Sequence, residues 1–570
     1  MKITGIPVCP GKVLCKTRVL RPVPQFNLER KTTCSIEETR HQVFLAISQI
    51  SKQLGKTAQK LSEHEAELIE VQRTMLQEDC FLEEVEHYIS QGYAPEAVVL
   101  KAAKTQENLL LATGDAYMSA RAEDMRDASY RIACLITGDS YPDISSLEEP
   151  VILITEELLP TMLISADLQN LCGIIMQKGT RTSHVSILAS SFNIPTLVNC
   201  PEAMRLPDGE MIFLNSEKGE VTYGLETYEE QQRQADTYKE EKQQLQNYCN
   251  QSAISADGQP IVTLANIVEP IVLDQVNKYG LDGVGLFRTE FLYMNRTAPP
   301  TEEEQLAIYR IAAQKLGNKP LTIRTMDIGG DKEVDYLGLP DEQNPFMGFR
   351  AIRICLSRTQ LFKTQLRAVL RASAVGNIRV MFPMIATKAE LLQALELLEQ
   401  CRQELAVENI PYQPEMPVGI MVEVPSAAIL LDKMAKDIQF VSIGSNDLLQ
   451  YTYAADRLNP NVAYLYNFMD PAVLRLISHT VQICRQMRLE CSLCGEMAGD
   501  AIGLAALSAL GLRKFSVSPS LGLITKKRIR LLDLASLEEA GAKMLQSDTA
   551  QQAARVLCQA LPAEYLVFPQ

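Results

Sequence analysis

VGIMVEVPSAAILLDKMAKDIQFVSIGSNDLLQ, residues Val418 to Gln450, contains two short apolar runs, VGIMVEV and FVSIGS, with a helical segment between them. Each run reads as a buried strand, and each ends in polar residues: Glu423 after the first, Asn446 with Asp447 after the second. The same alternation extends outward in both directions. IVTLANI, GVGLFR, LTIRTMD and IRVMFPMI come before it, and ECSLCG and KFSVSPS follow. Eight such runs alternating with helices over residues 253–570 predict a (β/α)8 barrel, in which chemistry gathers at the carboxyl ends of the strands. Those ends carry Asn266, Arg288, Arg324, Met384, Glu423, Asn446 with Asp447, Cys494 and Ser518.

These residue types suit a small, heavily anionic ligand. Arg288, Arg324 and Arg457 are fixed positive charges able to grip phosphate or carboxylate with two parallel hydrogen bonds. Glu423 and Asp447 are paired oxygen ligands of the kind that hold Mg²⁺ together with substrate oxygens. Surface ion pairing between the same arginines and carboxylates is the alternative for any one residue. Several of them at corresponding strand ends favour a site. Cys494 in CSLCGEMAGD is either a small core residue or a thiol tuned to move a proton.

The half before the barrel has a different organisation. Short strands at ITGIPV and KVLCKTRVL give way at residue 29 to helical periodicity, through HQVFLAISQISKQL, EAELIEVQRTML and EDMRDASYRIACLI. Strand patterns return after Asp143 as PVILIT, CGIIMQ, TLVNC, MIFLN and EVTYG. One α/β domain, residues 1–28 and 141–224, is therefore expected to be split by a helical insertion, 29–140. Residues 225–252, rich in Glu, Gln and Lys, read as a solvated helical linker on which the halves could swivel.

Composition narrows the class. A hydrophobic content of 46% with 22% charged residues is globular, and no apolar run is long enough to span a bilayer. The N-terminal MKITGIPVCPGK lacks a secretory apolar stretch, and fourteen scattered cysteines are not a disulfide framework, so a soluble cytoplasmic protein is expected. Cys491 and Cys494 have CxxC spacing, but nothing nearby completes a zinc site. A net charge of −15 argues against a broad nucleic-acid surface.

Of five histidines, His41, His64 and His87 lie in the helical block and His479 in an amphipathic segment. His184 differs. In KGTRTSHVSILASSFNIP, Gly179 breaks the chain after a strand, and Thr182-Ser183 supplies helix-capping chemistry immediately before His184. An imidazole there can act as a nucleophile, and a phosphate on it would meet free backbone N–H groups and a helix dipole. A capped helix without chemistry is the other reading of the same residues.

TRTSHVSILASSFNIPTLV resembles the phosphohistidine signature of the phosphoenolpyruvate-utilising enzymes. GLFRTEFLYMNR, IRTMDIGGDKE, NPFMGFRAIR, GIMVEVPSA, SIGSNDLLQYTYAADR and CGEMAGD are similar, in order and spacing, to the Enzyme I family of the bacterial sugar phosphotransferase system. The likeness is dense over 250–520, good over 143–200 and weaker through the helical block, where RAEDMRD is its best piece. It implies an N-terminal α/β phosphohistidine domain with an inserted helical bundle, followed by a TIM barrel that binds phosphoenolpyruvate with Mg²⁺ and forms a homodimer. It also implies transfer of phosphate through His184 to a histidine of an HPr-like carrier docked on the insertion. By the same resemblance, Arg288, Arg324, Asn446, Asp447 and Arg457 would hold phosphoenolpyruvate, Glu423 and Asp447 the metal, and Cys494 would protonate the enolpyruvate product.

The sequence departs from that pattern at Thr180, where the family usually has a second glycine before Arg-Thr-Ser-His. Two alternatives follow from the likeness. One is a dikinase or synthase, which needs a further nucleotide-binding domain that residues 1–250 do not accommodate. The other is a paralogue serving a regulatory branch, or a non-catalytic regulatory homologue.

Overall fold

The computed structural model describes the whole chain except residues 21–23, 59–69, 71, 113–115, 140, 142–143, 145–146, 159–161, 164–165, 181–183, 269, 295, 331–333, 341, 458, 460 and 568–570. His64 and the capping pair Thr182 and Ser183 thus lie outside the described residues. The chain divides into two compact units, Met1–Glu241 and Lys242–Gln570.

In the first unit, eight strands form one mixed sheet: β1 (Lys2–Thr4), β2 (Ile6–Cys9), β3 (Lys12–Val19), β4 (Val151–Thr155), β5 (Leu171–Met176), β6 (Thr196–Val198), β7 (Met211–Asn215) and β8 (Glu220–Tyr223), in the order β1-β8-β7-β3-β4-β5-β6-β2. β3, β4, β5 and β6 run parallel, and the flanking pairs are antiparallel. Strand period decides which face each side chain covers. Ile152, Ile154 and Ile175 pack with Leu197 and Ile212 on one face. Leu153, Ile174 and Met176 pack on the other with Val185 and Ala189 of the helix His184–Ser191.

Between β3 and β4 the chain forms the helices Ile36–Ala58, Asp79–Ser90, Pro95–Ala112 and Ala116–Thr137. They share an apolar cluster of their own, including Val43, Ile47, Phe81, Val85, Val98, Ala102, Met125 and Ile132. His41 and His87 are exposed on these helices, as is His479 on the helix Pro471–Met487 of the second unit. The helix Glu229–Gln246 buries none of its residues, and the division between the two units falls inside it. No helix among the described residues is long and apolar enough to cross a membrane.

The second unit is the expected barrel. Its strands, β9 (Val262–Ile267), β10 (Val284–Phe287), β11 (Leu321–Arg324), β12 (Ile378–Phe382), β13 (Val418–Val422), β14 (Phe440–Ile443), β15 (Glu490–Leu493) and β16 (Lys514–Val517), are parallel and close on themselves through the β16–β9 pairing. Phe287, Ile323, Val380, Phe382, Ile420, Val422 and Val441 face outward into the layer of surrounding helices. Leu286, Met381, Met421, Phe440 and Cys494 form a separate cluster inside. Thr301 and Thr387 each close a capping box at the start of a long outer helix, which satisfies backbone donors that the helix cannot.

The start of this unit is tied down by a buried lysine. The Lys526 ammonium donates to the carbonyls of Gly280 at 2.7 Å, Tyr279 at 3.0 Å and Cys249 at 3.2 Å. Burial lowers its pKa, and these carbonyl dipoles are what solvate its charge. Gly280 has φ +60, and a Cβ on it would lie 1.9 Å from the Cys249 carbonyl oxygen, so only glycine fits beneath the lysine. Lys526→Met should leave these carbonyls unsatisfied. The expected cost is about 1–3 kcal/mol, read as a lower melting temperature of the barrel transition and faster proteolysis near Tyr248. An unchanged transition would show that the lysine is not the clasp.

Candidate active site at the barrel mouth

The inward parity of each barrel strand carries past its last paired residue. Leu286 points inward, and so does Arg288 two residues on; Met421 is followed in the same way by Glu423. In a closed parallel barrel these positions converge at one end.

Arg324 lies at the centre and is 5% exposed. Its guanidinium is 2.8 Å from Glu290 and 3.0 Å from Asp327. Burial alone would lower its pKa, but Glu290, Asp327 and Glu423 outweigh burial and hold it firmly charged. Asp327 also accepts from Arg350 at 2.8 Å, and Arg350 in turn donates to the Tyr451 hydroxyl at 3.1 Å and lies 3.9 Å from Asp447. Asp447 forms a 3.5 Å ion pair with Arg457. The guanidiniums of Arg350 and Arg457 lie 5.8 Å and 5.6 Å from the centre of the Phe346 ring. Arg288 is half-buried, and its Nε has no hydrogen-bond partner.

Glu423 is buried, and one of its oxygens accepts from the backbone N–H of Met384 at 2.6 Å. Met384 adopts φ +57, a strained conformation for a side chain with a Cβ, and its contribution here is this N–H. Burial, followed by the charges of Asp447 and Asp327, pushes the Glu423 carboxyl up to about 8. Asp447 sits in the first turn of the helix Ser445–Tyr453, where the helix dipole favours a negative charge. Its Oδ1 is buried without a hydrogen bond. Two buried carboxyls, one short of a donor and the other carrying a raised pKa, are a donor set that suits Mg²⁺. Such a cation would displace the Glu423 proton and relieve both. With Glu423 neutral, four guanidiniums face three carboxylates, so the mouth is positively charged before any cation enters.

Cys494 follows β15 with its thiol buried and donating to the Ile443 carbonyl at 3.7 Å. Burial raises its pKa; Ser442 and the charges of Arg324 and Arg288 oppose that without cancelling it, so the thiol keeps its proton at neutral pH. Its backbone carbonyl accepts from Asn266 at 2.9 Å, which fixes the strand end across the barrel. Gly495 allows the next turn to approach, since a Cβ there would lie 1.8 Å from the Ser445 hydroxyl.

Of the residues predicted from sequence, Arg324, Glu423, Asp447 and Arg457 are joined to this network, and Arg288 and Cys494 border it electrostatically. Asn446 uses its side-chain oxygen to accept from the Glu496 N–H at 3.0 Å, orienting the neighbouring loop. Ser518 pairs instead with Ser520, and its side chain takes no part in the network. Reading strand ends missed Glu290, Asp327 and Arg350. Each lies beyond a strand, in RTEF, TMD and GFR, where a lone charge gives no sign of its direction.

His184 belongs to the first unit, at the start of its eight-residue helix. Residues 177–180 ahead of it are held by Gln177 and Lys178 N–H groups donating to the Thr155 and Glu156 carbonyls and by the Ser186 hydroxyl donating to the Thr180 carbonyl at 2.6 Å, with Gly179 at φ +118.

Family models match along most of the chain. The N-terminal part of the PEP-utilising enzymes matches residues 4–121, their mobile domain 147–219 and their PEP-binding domain 242–534. A phosphoenolpyruvate-protein phosphotransferase of Priestia megaterium is 36% identical over 94% of this chain and 95% of its own. One from Bacillus subtilis is 35% identical over 97% of this chain and 98% of its own. A solution structure of an Enzyme I protein (nEIt), 23% identical, covers 42% of this chain and 99% of that one at a TM-score of 0.37.

The raised Glu423 pKa predicts a pH signature of stability. Below about 4.5 the carboxyl is protonated whether the chain is folded or unfolded, and from there to about 8 only the unfolded chain ionises. In chelator, wild-type stability should therefore fall relative to Glu423→Gln by about 1.4 kcal/mol per pH unit across that window and level off above it. Calorimetry of both proteins at several pH values reads the difference, and parallel curves would contradict the assignment.

Proposed function

The chain belongs to the PEP-utilising enzymes and, within them, to the phosphoenolpyruvate-protein phosphotransferases, and from that membership we propose how its residues divide the work. It moves phosphate from phosphoenolpyruvate, through a histidine of its own, to the histidine of an HPr-like carrier and releases pyruvate, the first step of sugar uptake by the phosphotransferase system. The observation that carries the reading is the buried mouth of the barrel, where guanidiniums outnumber ionised carboxylates and the Glu423 and Asp447 carboxyls lie near one another.

In this reading Arg288, Arg324, Asn446, Asp447 and Arg457 receive phosphoenolpyruvate, and Arg350 joins them through its contact with Asp327. Glu423 and Asp447 would hold Mg²⁺, which when bound offsets the negative charge of the substrate's phosphate and carboxylate oxygens. An imidazole nitrogen of His184 forms a bond to phosphorus as the bond from phosphorus to the enol oxygen breaks. The enolate left behind takes a proton at its methylene carbon from the Cys494 thiol, and solvent reprotonates the thiolate. Asp327 and Glu290 are positioning residues that keep Arg324 and Arg350 fixed.

The donor site and His184 lie in different units, so the helical segment 225–252 must let them meet and part in each cycle. We assign residues 1–28 and 141–224 to the phosphohistidine domain, 29–140 to carrier docking and 253–570 to phosphoenolpyruvate binding and dimerisation. A groove of about 310 Å³ between helical segments, lined by Phe44, Ile47, Ser51, Leu76, Gln77 and Leu82, supports docking on the insertion. Fourteen free cysteines fit a reducing compartment, and we take the protein to work in the cytoplasm.

Phosphoenolpyruvate labelled at phosphorus, with Mg²⁺, should place acid-labile label on the wild type, and an HPr-like carrier should remove it. His184→Ala should take no label while still binding phosphoenolpyruvate in the barrel; label on that variant would move the acceptor elsewhere.

Cys494→Ala should slow pyruvate formation and exchange of pyruvate methyl protons with D₂O, followed by NMR, on the order of 100-fold or more. Cys491→Ala should do neither, because Cys491 packs into the apolar layer outside the barrel, away from the mouth. Exchange at the wild-type rate in Cys494→Ala would assign the acid to another group.

A further inference from the structure

Two cysteines that the phosphotransfer chemistry leaves unused meet inside the first unit. Cys15 lies on β3 and Cys172 on β5, and both strands flank β4, so their side chains would ordinarily be kept apart by that strand. They meet where β4 begins. Lys16 pairs with Val151, which leaves Cys15 opposite the approach to β4. Val151 pairs with Leu171 but Ile152 with Gly173, so Cys172 is the extra residue of a bulge. Cα atoms of β3 and β5 come within 8 Å of each other. The Cys15 and Cys172 thiols lie near enough to shift one another's ionisation, and both cysteines are partly exposed.

Lys239, on the helix Glu229–Gln246, adds a positive charge to this corner. That helix is held against the same sheet by the Tyr238 hydroxyl, which donates to the Pro10 carbonyl at 3.3 Å, and by the Lys12 ammonium 5.7 Å from the centre of the Tyr238 ring. The neighbouring Cys15 thiol favours ionisation of Cys172, burial opposes it and Lys239 favours it again, so the Cys172 pKa falls below that of an ordinary thiol. Cys491, beside Cys484 in the layer outside the barrel, instead has its pKa raised by Cys484, by burial and by the charge of Glu490.

We propose that Cys15 and Cys172 are a redox-sensitive dithiol, which a low-molecular-weight disulfide converts to an intramolecular disulfide joining β3 to β5. The Cys172 thiolate attacks one sulfur of the small disulfide, forming a mixed disulfide and expelling one thiolate. Cys15 gives its proton to solvent and attacks the Cys172 sulfur, forming the protein disulfide and expelling the second thiolate. Two protein thiols are oxidised and one small disulfide is reduced to two thiols. The bond encloses the four described helices of residues 36–137 in a covalent loop and braces the strand that leads to His184.

The test uses the full chain, incubated with reduced or oxidised glutathione, quenched in acid, alkylated and digested without reduction. Mass spectrometry should find a peptide pair joining Cys15 to Cys172 at lower oxidant concentration than any other cysteine pair. In calorimetry, oxidation should raise the first unit's transition by several degrees in the wild type and leave Cys172→Ser unmoved. Three results would overturn the proposal: glutathione persisting on Cys172 without transfer to Cys15, Cys172 joined to a different cysteine, or both thiols remaining free while other pairs oxidise. The peptide assay needs no variant, so a poorly folding Cys172→Ser does not shield it.

Discussion

A barrel strand cannot choose the direction of two successive inward side chains independently. Once Met421 points inward to fill the bore, Glu423 must point inward above it, and the same parity binds Arg288 to Leu286. Closure of eight strands then forces their charged ends into one small region. Charges so confined are stable only if they neutralise one another, and the alternation of Glu290, Arg324, Asp327, Arg350, Asp447 and Arg457 does so contact by contact.

Glu423 is the member for which this neutralisation is incomplete. Its one described hydrogen bond comes from a strained Met384 N–H, and its nearest charges include two carboxylates. Strain and an unfavourable buried acid close together are the local inconsistency expected where structure has been given up for binding. A divalent cation together with an anionic substrate, as proposed above, would relieve that inconsistency on binding.

The barrel was legible in the sequence because its strands are apolar on both faces and punctuated by polar ends, and that pattern survives without any knowledge of packing. Arg324, Glu423 and Asp447 could be found by the same reading, since each stands on or just past a strand. Asp327 and Arg350 could not, because they sit in loops whose course is decided by tertiary contacts with Arg324 and Tyr451. Met384 was noticed for its position, but its role lies in a backbone N–H that no side-chain pattern encodes. The turn before His184 was partly legible: Gly179 adopts the positive φ that marks a break.

In the proposed mechanism, the use of a thiol as the proton source would follow from the same electrostatics. A carboxyl among these guanidiniums would either ionise against them or, like Glu423 in that mechanism, serve as a ligand for the cation. Cys494 escapes that competition. A buried thiol is neutral at physiological pH, interacts only weakly with a hard cation, and still lies close enough to Arg324 and Arg288 for their charges to stabilise the thiolate once the proton has left. In that mechanism the oxygens would serve the metal, the guanidiniums the substrate, and the one softer group the carbon.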